Sequence, residues 1–284
     1  MKIKIITDST ADLPREVVQQ YDITVASLGV IMDGQPRRAV DVTEDELYGH
    51  LNQCLGEGKP LPTTSQVTMV GFVDVLRPFA NAADTFVLVL TIAKEISNTY
   101  NSAAKAIESL GMKNVYLFDT YVTTFGLGAL VVEIAKLAQN TSMTVDELIR
   151  AGEDLNSRVW TYISIGDLRC LRAGGRLSAA AMALGSMLRL KPIVYIDKKV
   201  EIAAKTIGQG KANKWIADRV FADRDTSLPL YLGSAKAPEL VEKLKTQYGE
   251  LLGIKGDEII SSMGPVVGTH AGPGCVGVAF FKKK

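Results

Sequence analysis

The sequence predicts an α/β fold with two domains: a parallel-sheet N-terminal domain of the α/β/α type and a C-terminal α/β domain with a mixed sheet. The chain has 284 residues, which suits about two domains of ~150 residues each. Continuous apolar runs alternate with helical patterns in the first half, as in a parallel sheet that is buried on both faces. Shorter strand candidates come in pairs in the second half. We place the boundary at residue 155, giving domains 1–155 and 156–284.

The first half indicates a βαβ succession. Its predicted strands are Ile3–Thr7, Ile23–Leu28, Phe86–Thr91 and Asn114–Phe118. Helices are predicted after Pro14, from Thr43, over Ser97–Leu110 and over Leu127–Asn140. Thr43 and the glutamate three residues later form a capping-box pattern, which is typical of a helix start.

The second half predicts paired strands and a glycine-rich end. Its predicted strands are Thr161–Ile165, Ile193–Ile196, Val200–Ala204 and Pro229–Leu232, and a last apolar strand follows the glycine-rich loop Gly264–Gly274. Helices are predicted over Ser178–Leu190, Gly208–Val220 and Ala237–Gly249. The segment Asp197-Lys198-Lys199 is predicted as the turn of an antiparallel pair.

Composition excludes several classes of protein. Hydrophobic residues make up 47% of the chain, and 32 Lys and Arg against 31 Asp and Glu leave a net charge of +1. This is neither a disordered chain nor one with an evident nucleic-acid surface. Three cysteines and two histidines make a disulfide framework or a zinc site improbable. The first apolar run stops at Asp8, and no run reaches ~20 residues, so we expect a cytoplasmic protein without a membrane span.

Hydroxyl-rich clusters at predicted strand-to-helix junctions are the main indication of a site. They are Thr7–Thr10, Thr63–Gln66, Ser97–Tyr100 and Asp119-Thr120. Taken singly, each is more simply explained as a helix cap, which is the commonest role of such residues. Several junctions on one parallel sheet would converge at the carboxyl edge of its strands, where ligands bind.

Two further segments carry polar groups suited to binding. His270 lies between glycines, so that its imidazole either meets a ligand or serves as a structural residue in a turn. The segment Arg172–Arg176 offers guanidinium groups for an anion or a partner, or simply solvated charges. The small-residue helix predicted next carries Met182 and Met187, which suit either a core or an acyl chain.

No motif supports a catalytic serine or a nucleotide site. The sequence lacks a G-x-S-x-G elbow and a Walker A loop. A triad of Ser65 or Ser97 with His270 and Asp8 or Asp119 follows no spacing rule.

Taken together, the motifs resemble the DegV family of bacterial fatty-acid-binding proteins over nearly the whole chain. The matching segments are IITDSTADLP at the start, PTTSQ at Pro62–Gln66, ISNTYNSA at Ile96–Ala103, FDT at Phe118–Thr120, DLRCLRAGGRLS at Asp167–Ser178, LRLKPIV at Leu188–Val194 and GPVVGTHAGPG at Gly264–Gly274. Seven segments in this order make the resemblance specific.

The resemblance implies one long-chain fatty acid, such as palmitate, with its carboxylate at the domain interface and its tail in the C-terminal domain. Thr64 would bind the carboxylate, with Ser65 beside it and His270 acting directly or through water. Arg176 matches an arginine near the ligand entrance and the surface for a fatty acid kinase subunit. The resemblance implies that such a protein is not an enzyme alone and needs no metal or cofactor, and that in some bacteria it presents the acyl carboxylate to a separate kinase, which forms the acyl phosphate.

Two departures from the family pattern bear on these roles. The family usually has two serines where this chain has Ala93 and Lys94, and one of them contacts the carboxylate; Asn98 also replaces a glycine. We expect Lys94 either to pair with the carboxylate or to point to solvent. Ile207 stands where the family often has an arginine, which predicts weak docking to such a kinase or a different partner.

Two rival hypotheses stay open at this stage. An acyl hydrolase that uses a serine and His270 in the same crevice would turn over acyl esters. A sensor module would bind a stable partner only when it carries lipid.

Overall fold

The computed structural model describes residues 1–140, 142–176 and 190–284. The predicted helix that carries Met182 and Met187 lies outside the described residues, apart from its last residue, Leu190, which begins a strand. The start of the LRLKPIV segment lies outside them as well.

The N-terminal part contains a four-stranded parallel sheet in the order β2-β1-β6-β7. Its strands are β1 (Lys2–Asp8), β2 (Thr24–Ala26), β6 (Thr85–Leu90) and β7 (Val115–Phe118). Asp8 joins the ends of two of them, because its buried carboxylate accepts hydrogen bonds from Thr10 N at 2.9 Å and Ile92 N at 2.7 Å. This sheet matches the predicted one.

A small antiparallel sheet in the order β4-β3-β5 lies beside it. Its strands are β3 (Gly29–Met32), β4 (Gln35–Arg38) and β5 (Thr63–Ser65). Three residues of the predicted strand-to-helix junction Thr63–Gln66 thus form a strand of their own, which the sequence did not predict. Thr64 pairs with Val30 in the register of β3 and β5.

The C-terminal part contains a six-stranded mixed sheet in the order β10-β9-β8-β13-β11-β12. Its strands are β8 (Val159–Ser164), β9 (Leu190–Asp197), β10 (Lys199–Ile207), β11 (Tyr231–Ser234), β12 (Ile259–Ser262) and β13 (Val276–Phe281). β9 and β10 form the predicted antiparallel pair, and Lys198 takes the turn position with φ 61°. The α/β fold class is thus confirmed, with a parallel and a mixed sheet.

Ten α-helices lie within the described residues. They are α1 (Arg15–Gln20), α2 (Glu44–Glu57), α3 (Met69–Leu76), α4 (Thr99–Ser109), α5 (Thr124–Ala138), α6 (Val145–Arg158), α7 (Leu168–Ala173), α8 (Gln209–Asp223), α9 (Pro238–Leu252) and α10 (Pro265–Ala271). The predicted capping box at Thr43 is confirmed: its hydroxyl accepts from Glu46 N, and the Glu46 carboxylate accepts from Thr43 N. None of these helices is long and apolar enough to cross a membrane.

Helix α5 connects the two main sheets. Its residues from Thr124 to Ala135 are all buried, and the helix contacts β1 on one side and β8, β11 and β13 on the other. A helix that is apolar on every face needs such a double cover. Helices α8 and α9 pack on the outer face of the six-stranded sheet. The predicted boundary at residue 155 falls within α6, one turn before β8.

His270 lies in helix α10, so the prediction of a glycine-rich loop is wrong for this residue. Pro265 at the first position fixes a helical φ and starts the helix. Gly268 is needed inside it because a Cβ there would lie 2.4 Å from the Tyr48 hydroxyl. The glycine therefore serves close packing against α2.

Candidate functional site

An apolar cavity lies between the two main sheets. The six-stranded sheet contributes Ile163, Ile165, Val194, Ile196 and Val200. About 80 Å³ of the cavity admits the centre of a water-sized molecule; all the space between the lining atoms, with the adjoining open solvent, amounts to about 720 Å³. Its walls are branched aliphatic side chains, which suit a flexible hydrocarbon better than a polar metabolite.

Polar side chains line the cavity at a few places only. The uncharged ones are Thr64, Ser65, Gln66, Ser97, Thr123 and His270. Of the four hydroxyl-rich clusters predicted from the sequence, Thr63–Gln66 lines the cavity with three residues, Ser97–Tyr100 lines it with Ser97 alone, and the other two do not line it. The side chains of those two bond elsewhere in the protein: Thr7 Oγ1, for example, donates to Leu90 O at 2.9 Å.

The central contact of the site joins Thr64 to His270. His270 Nε2 lies 2.7 Å from Thr64 Oγ1, across 206 residues of sequence. β5 holds the threonine through its pairing with β3, and the last turn of α10 holds the histidine. The structure therefore brings together two of the residues that the resemblance assigns to the carboxylate.

The imidazole of His270 is held in its neutral form. Burial lowers the pKa of His270 to about 4, and the positive charge of Arg176 acts in the same direction. Nδ1 is buried and has no hydrogen-bond partner among the described residues. The backbone of Gly174 covers it, since a Cβ at that position would lie 2.3 Å from Nδ1.

Ser65 lines the cavity beside Thr64, but its hydroxyl lies elsewhere. Successive side chains of a strand point to opposite faces, and Ser65 Oγ lies over Gly29, where a Cβ would approach it to 2.4 Å. The residue is exposed. Ser97, also on the lining, shares a hydrogen bond of 2.9 Å with Thr99 Oγ1.

Lys94 is not brought to the cavity. Its ammonium forms an ion pair with the Asp119 carboxylate and lies 5.9 Å from the centre of the Tyr100 ring. The hydrogen bond that Lys94 donates to Asp119 raises the pKa of the Lys94 ammonium. The neighbouring Ala93 is fully buried and offers no hydroxyl.

Arg176 is the one charged residue among the described lining of the cavity. Its side chain is exposed, and Nη1 donates to the carbonyl of Gly174 at 2.6 Å. The guanidinium thus stands at the solvent side of the segment that covers His270. A cation here favours an anionic group near the Thr64–His270 pair.

The arrangement lacks the acid of a hydrolytic triad within the described residues. Asp8 is used by Thr10 and Ile92, and Asp119 by Lys94. No carboxylate in the described part of the chain contacts His270, and the low pKa of this imidazole makes it a poor base. Likewise, the described residues contain no cluster of ligands that could hold a metal ion.

Sequence reasoning missed two residues of this site. Gly174 enters the sequence argument only as part of the segment Arg172–Arg176, and Thr123 does not enter it. Neither has a local pattern that reveals its role, because the contact of Gly174 with His270 and the place of Thr123 on the cavity wall depend on tertiary packing.

The fold and the cavity define a two-sheet α/β protein whose internal apolar space carries a neutral hydrogen-bonding pair. The chain belongs to the DegV family: the model of that family, described as "Uncharacterised protein, DegV family", matches residues 2–283. A DegV domain-containing protein of Caldanaerobacter subterraneus is 31% identical over 291 aligned residues, which cover 100% of this chain and 99% of the relative. Protein DegV of Bacillus subtilis is 28% identical, with 99% of each chain covered.

Solved structures of similar proteins have the same fold. A DegV family protein of Thermus thermophilus, described for its fatty acid binding, superposes with a TM-score of 0.87 at 27% identity, with full coverage of both chains. The fatty acid binding DegV family protein of Streptococcus agalactiae gives a TM-score of 0.85 at 29% identity, again with full coverage of both chains.

Proposed function

We propose that this protein binds one long-chain fatty acid, with the carboxylate at Thr64 and His270 and the hydrocarbon tail along β8, β9 and β10. The observation that carries the proposal is the contact of Thr64 with a neutral, partly buried His270 at a mainly apolar cavity. The fatty acid binding of the similar Thermus and Streptococcus proteins supports it.

The proposed hydrogen bonds follow from the neutral imidazole. His270 Nε2–H donates to Thr64 Oγ1, which leaves the hydroxyl hydrogen of Thr64 free to donate to a carboxylate oxygen. Arg176 supplies positive charge from the solvent side. Burying a carboxylate requires donors or a cation of this kind.

The tail supplies most of the binding free energy in this proposal. Burial of ~16 carbons at roughly 0.8 kcal/mol per CH₂ offers on the order of 10 kcal/mol before the entropic costs of binding. Exchange is therefore slow, and a natural lipid stays bound through purification.

The proposed role is that of a cytoplasmic, two-domain acyl carrier without catalysis of its own. The carboxylate end lies near the exposed Arg176, so a kinase subunit could reach it there and form the acyl phosphate. Ile207, which is 57% exposed at the end of β10, stands where the family often has an arginine. This departure makes the proposal of a kinase partner weaker than the proposal of lipid binding. Incubation of the loaded protein with a fatty acid kinase subunit and ATP tests this step.

The lipid proposal is tested by purification under native conditions, extraction with organic solvent and mass spectrometry. We expect close to one fatty acid per chain. A folded sample that yields no lipid and takes up no added hexadecanoic acid would refute the proposal.

A further inference from the structure

The hydroxyl of Thr123 is a polar group of the cavity wall that no contact with another described residue explains. Thr123 lines the cavity and is 4% exposed. It occupies the N-cap position of α5, where threonine ordinarily bonds a backbone N–H, yet its side chain makes no capping hydrogen bond. Oγ1 is buried without a hydrogen-bond partner among the described residues.

Thr123 lies far from the Thr64–His270 pair, at the opposite end of α10. The next residue, Thr124, donates to Asp12 at 2.7 Å, and Gly264, which precedes α10, lies against the same carboxylate. His270 is in the last turn of this seven-residue helix. Gly264 and His270 are six residues apart, so a rise of 1.5 Å per residue puts about 9 Å between the two ends of α10.

The strands of the cavity wall also place Thr123 and His270 at opposite ends. Ile165 is followed by Gly166, which packs against Pro273 just beyond α10. Four residues earlier along β8, Thr161 pairs with Ile196. The turn after Ile196 lies beside the Thr123 segment, because Lys198 N donates to Tyr121 O at 2.7 Å. Four strand residues span roughly 13 Å.

We propose that Thr123 recognises an oxygen atom in the middle of the acyl chain, so that the ligands of this site include mid-chain hydroxy fatty acids. The inference rests on the proposed fatty acid function. Carbon–carbon bonds of about 1.5 Å in a zigzag place a group about 10 Å from the carboxylate roughly eight bonds along the chain. A hydroxyl there either donates to Oγ1 or accepts the hydrogen of the Thr123 hydroxyl, and either bond removes the cost of an unpaired buried group.

The test compares three probes on delipidated protein: hexadecanoic acid, 9-hydroxyhexadecanoic acid and 2-hydroxyhexadecanoic acid. The quantity is the Kd of hexadecanoic acid divided by the Kd of each hydroxy acid. We expect Thr123→Val to lower the ratio for the 9-hydroxy acid about 10-fold and to leave the ratio for the 2-hydroxy acid unchanged. Thr123→Ser, which keeps the hydroxyl, retains the wild-type ratios.

Thr91→Val is the matched control, since Thr91 Oγ1 is also buried without a described partner but Thr91 does not line the cavity. It should leave both ratios unchanged. Equal loss of affinity for all three acids in Thr123→Val would place this residue at the carboxylate and overturn the inference, as would an unchanged ratio. Failure of wild-type protein to bind any of the acids would instead refute the proposed function.

Discussion

Gly174 and His270 are packed so closely that only a residue without a side chain fits at position 174. A Cβ there would lie 2.3 Å from Nδ1 and 3.0 Å from Cγ of the imidazole. The ring is thereby held against Thr64 on its other side. The glycine's function in this site is steric, since its φ of −65° is open to any residue.

Replacement of Gly174 by alanine should displace the imidazole and break its hydrogen bond with Thr64. We expect hexadecanoic acid to bind about 10-fold more weakly, measured by titration of delipidated protein. Gly210→Ala is the matched control, because Gly210 lies in the first turn of α8 with nothing within 4 Å of an added Cβ. Equal affinities in both variants would show that the position of His270 is immaterial to binding.

Lys94→Met should leave the affinity for hexadecanoic acid within about 2-fold of wild type, since the ammonium is engaged by Asp119 and an exposed ion pair contributes little to the folded structure. Arg176→Met is the comparison, and we expect it to weaken binding several-fold because this cation lines the cavity. If Lys94→Met lost as much affinity as Arg176→Met, Lys94 would have to pair directly with the carboxylate of the ligand.

The partly buried, neutral His270 predicts a loss of stability in acid. Its pKa is lowered to about 4 in the folded protein, against about 6.5 when unfolded. The unfolded chain therefore binds the proton first, and the contribution of the neutral ring is full above pH 6.5 and lost as the pH falls toward 4.

His270→Gln removes this titration. The free energy of unfolding of wild type, measured by urea titration, should fall relative to the variant by on the order of 3 kcal/mol between pH 7 and pH 4. Parallel pH profiles of the two proteins would contradict the assignment.

The carboxyl group of Asp12 should give stability the opposite dependence on pH. Burial raises the pKa of its carboxyl to about 8, so that its contribution to stability is present at low pH and is lost as the pH rises through 8. Asp12→Asn keeps the hydrogen bond from Thr124 and suits the left-handed φ of 49° at this position. Thermal unfolding should show the variant more stable than wild type at pH 8, with a difference that shrinks toward pH 4.

The parallel sheet was predictable because its strands are continuous apolar runs; the predicted strand Phe86–Thr91 differs from β6 by one residue at each end. The small sheet was missed because β4 is Gln-Pro-Arg-Arg and fully exposed, so it has no apolar alternation. Contacts with the six-stranded sheet, not a local pattern, decide how α5 is buried.

The site was predictable only through the resemblance. Thr64 and His270 are joined across 206 residues, a distance that no spacing rule connects. Glycine density around His270 indicated a loop, whereas Gly268 is there to admit Tyr48. The charge of Lys94 suggested a carboxylate partner, and the protein supplies that partner itself in Asp119.

The most direct test of the account observes the carboxylate of hexadecanoic acid labelled with ¹³C at C1 by NMR in complex with wild type, Thr64→Val and Thr63→Val. Thr63 is the exposed neighbour of Thr64 in β5 and serves as the matched control. We predict one bound carboxylate resonance that moves in Thr64→Val and stays in place in Thr63→Val. A bound resonance that is identical in all three proteins would place the carboxylate elsewhere and contradict the account.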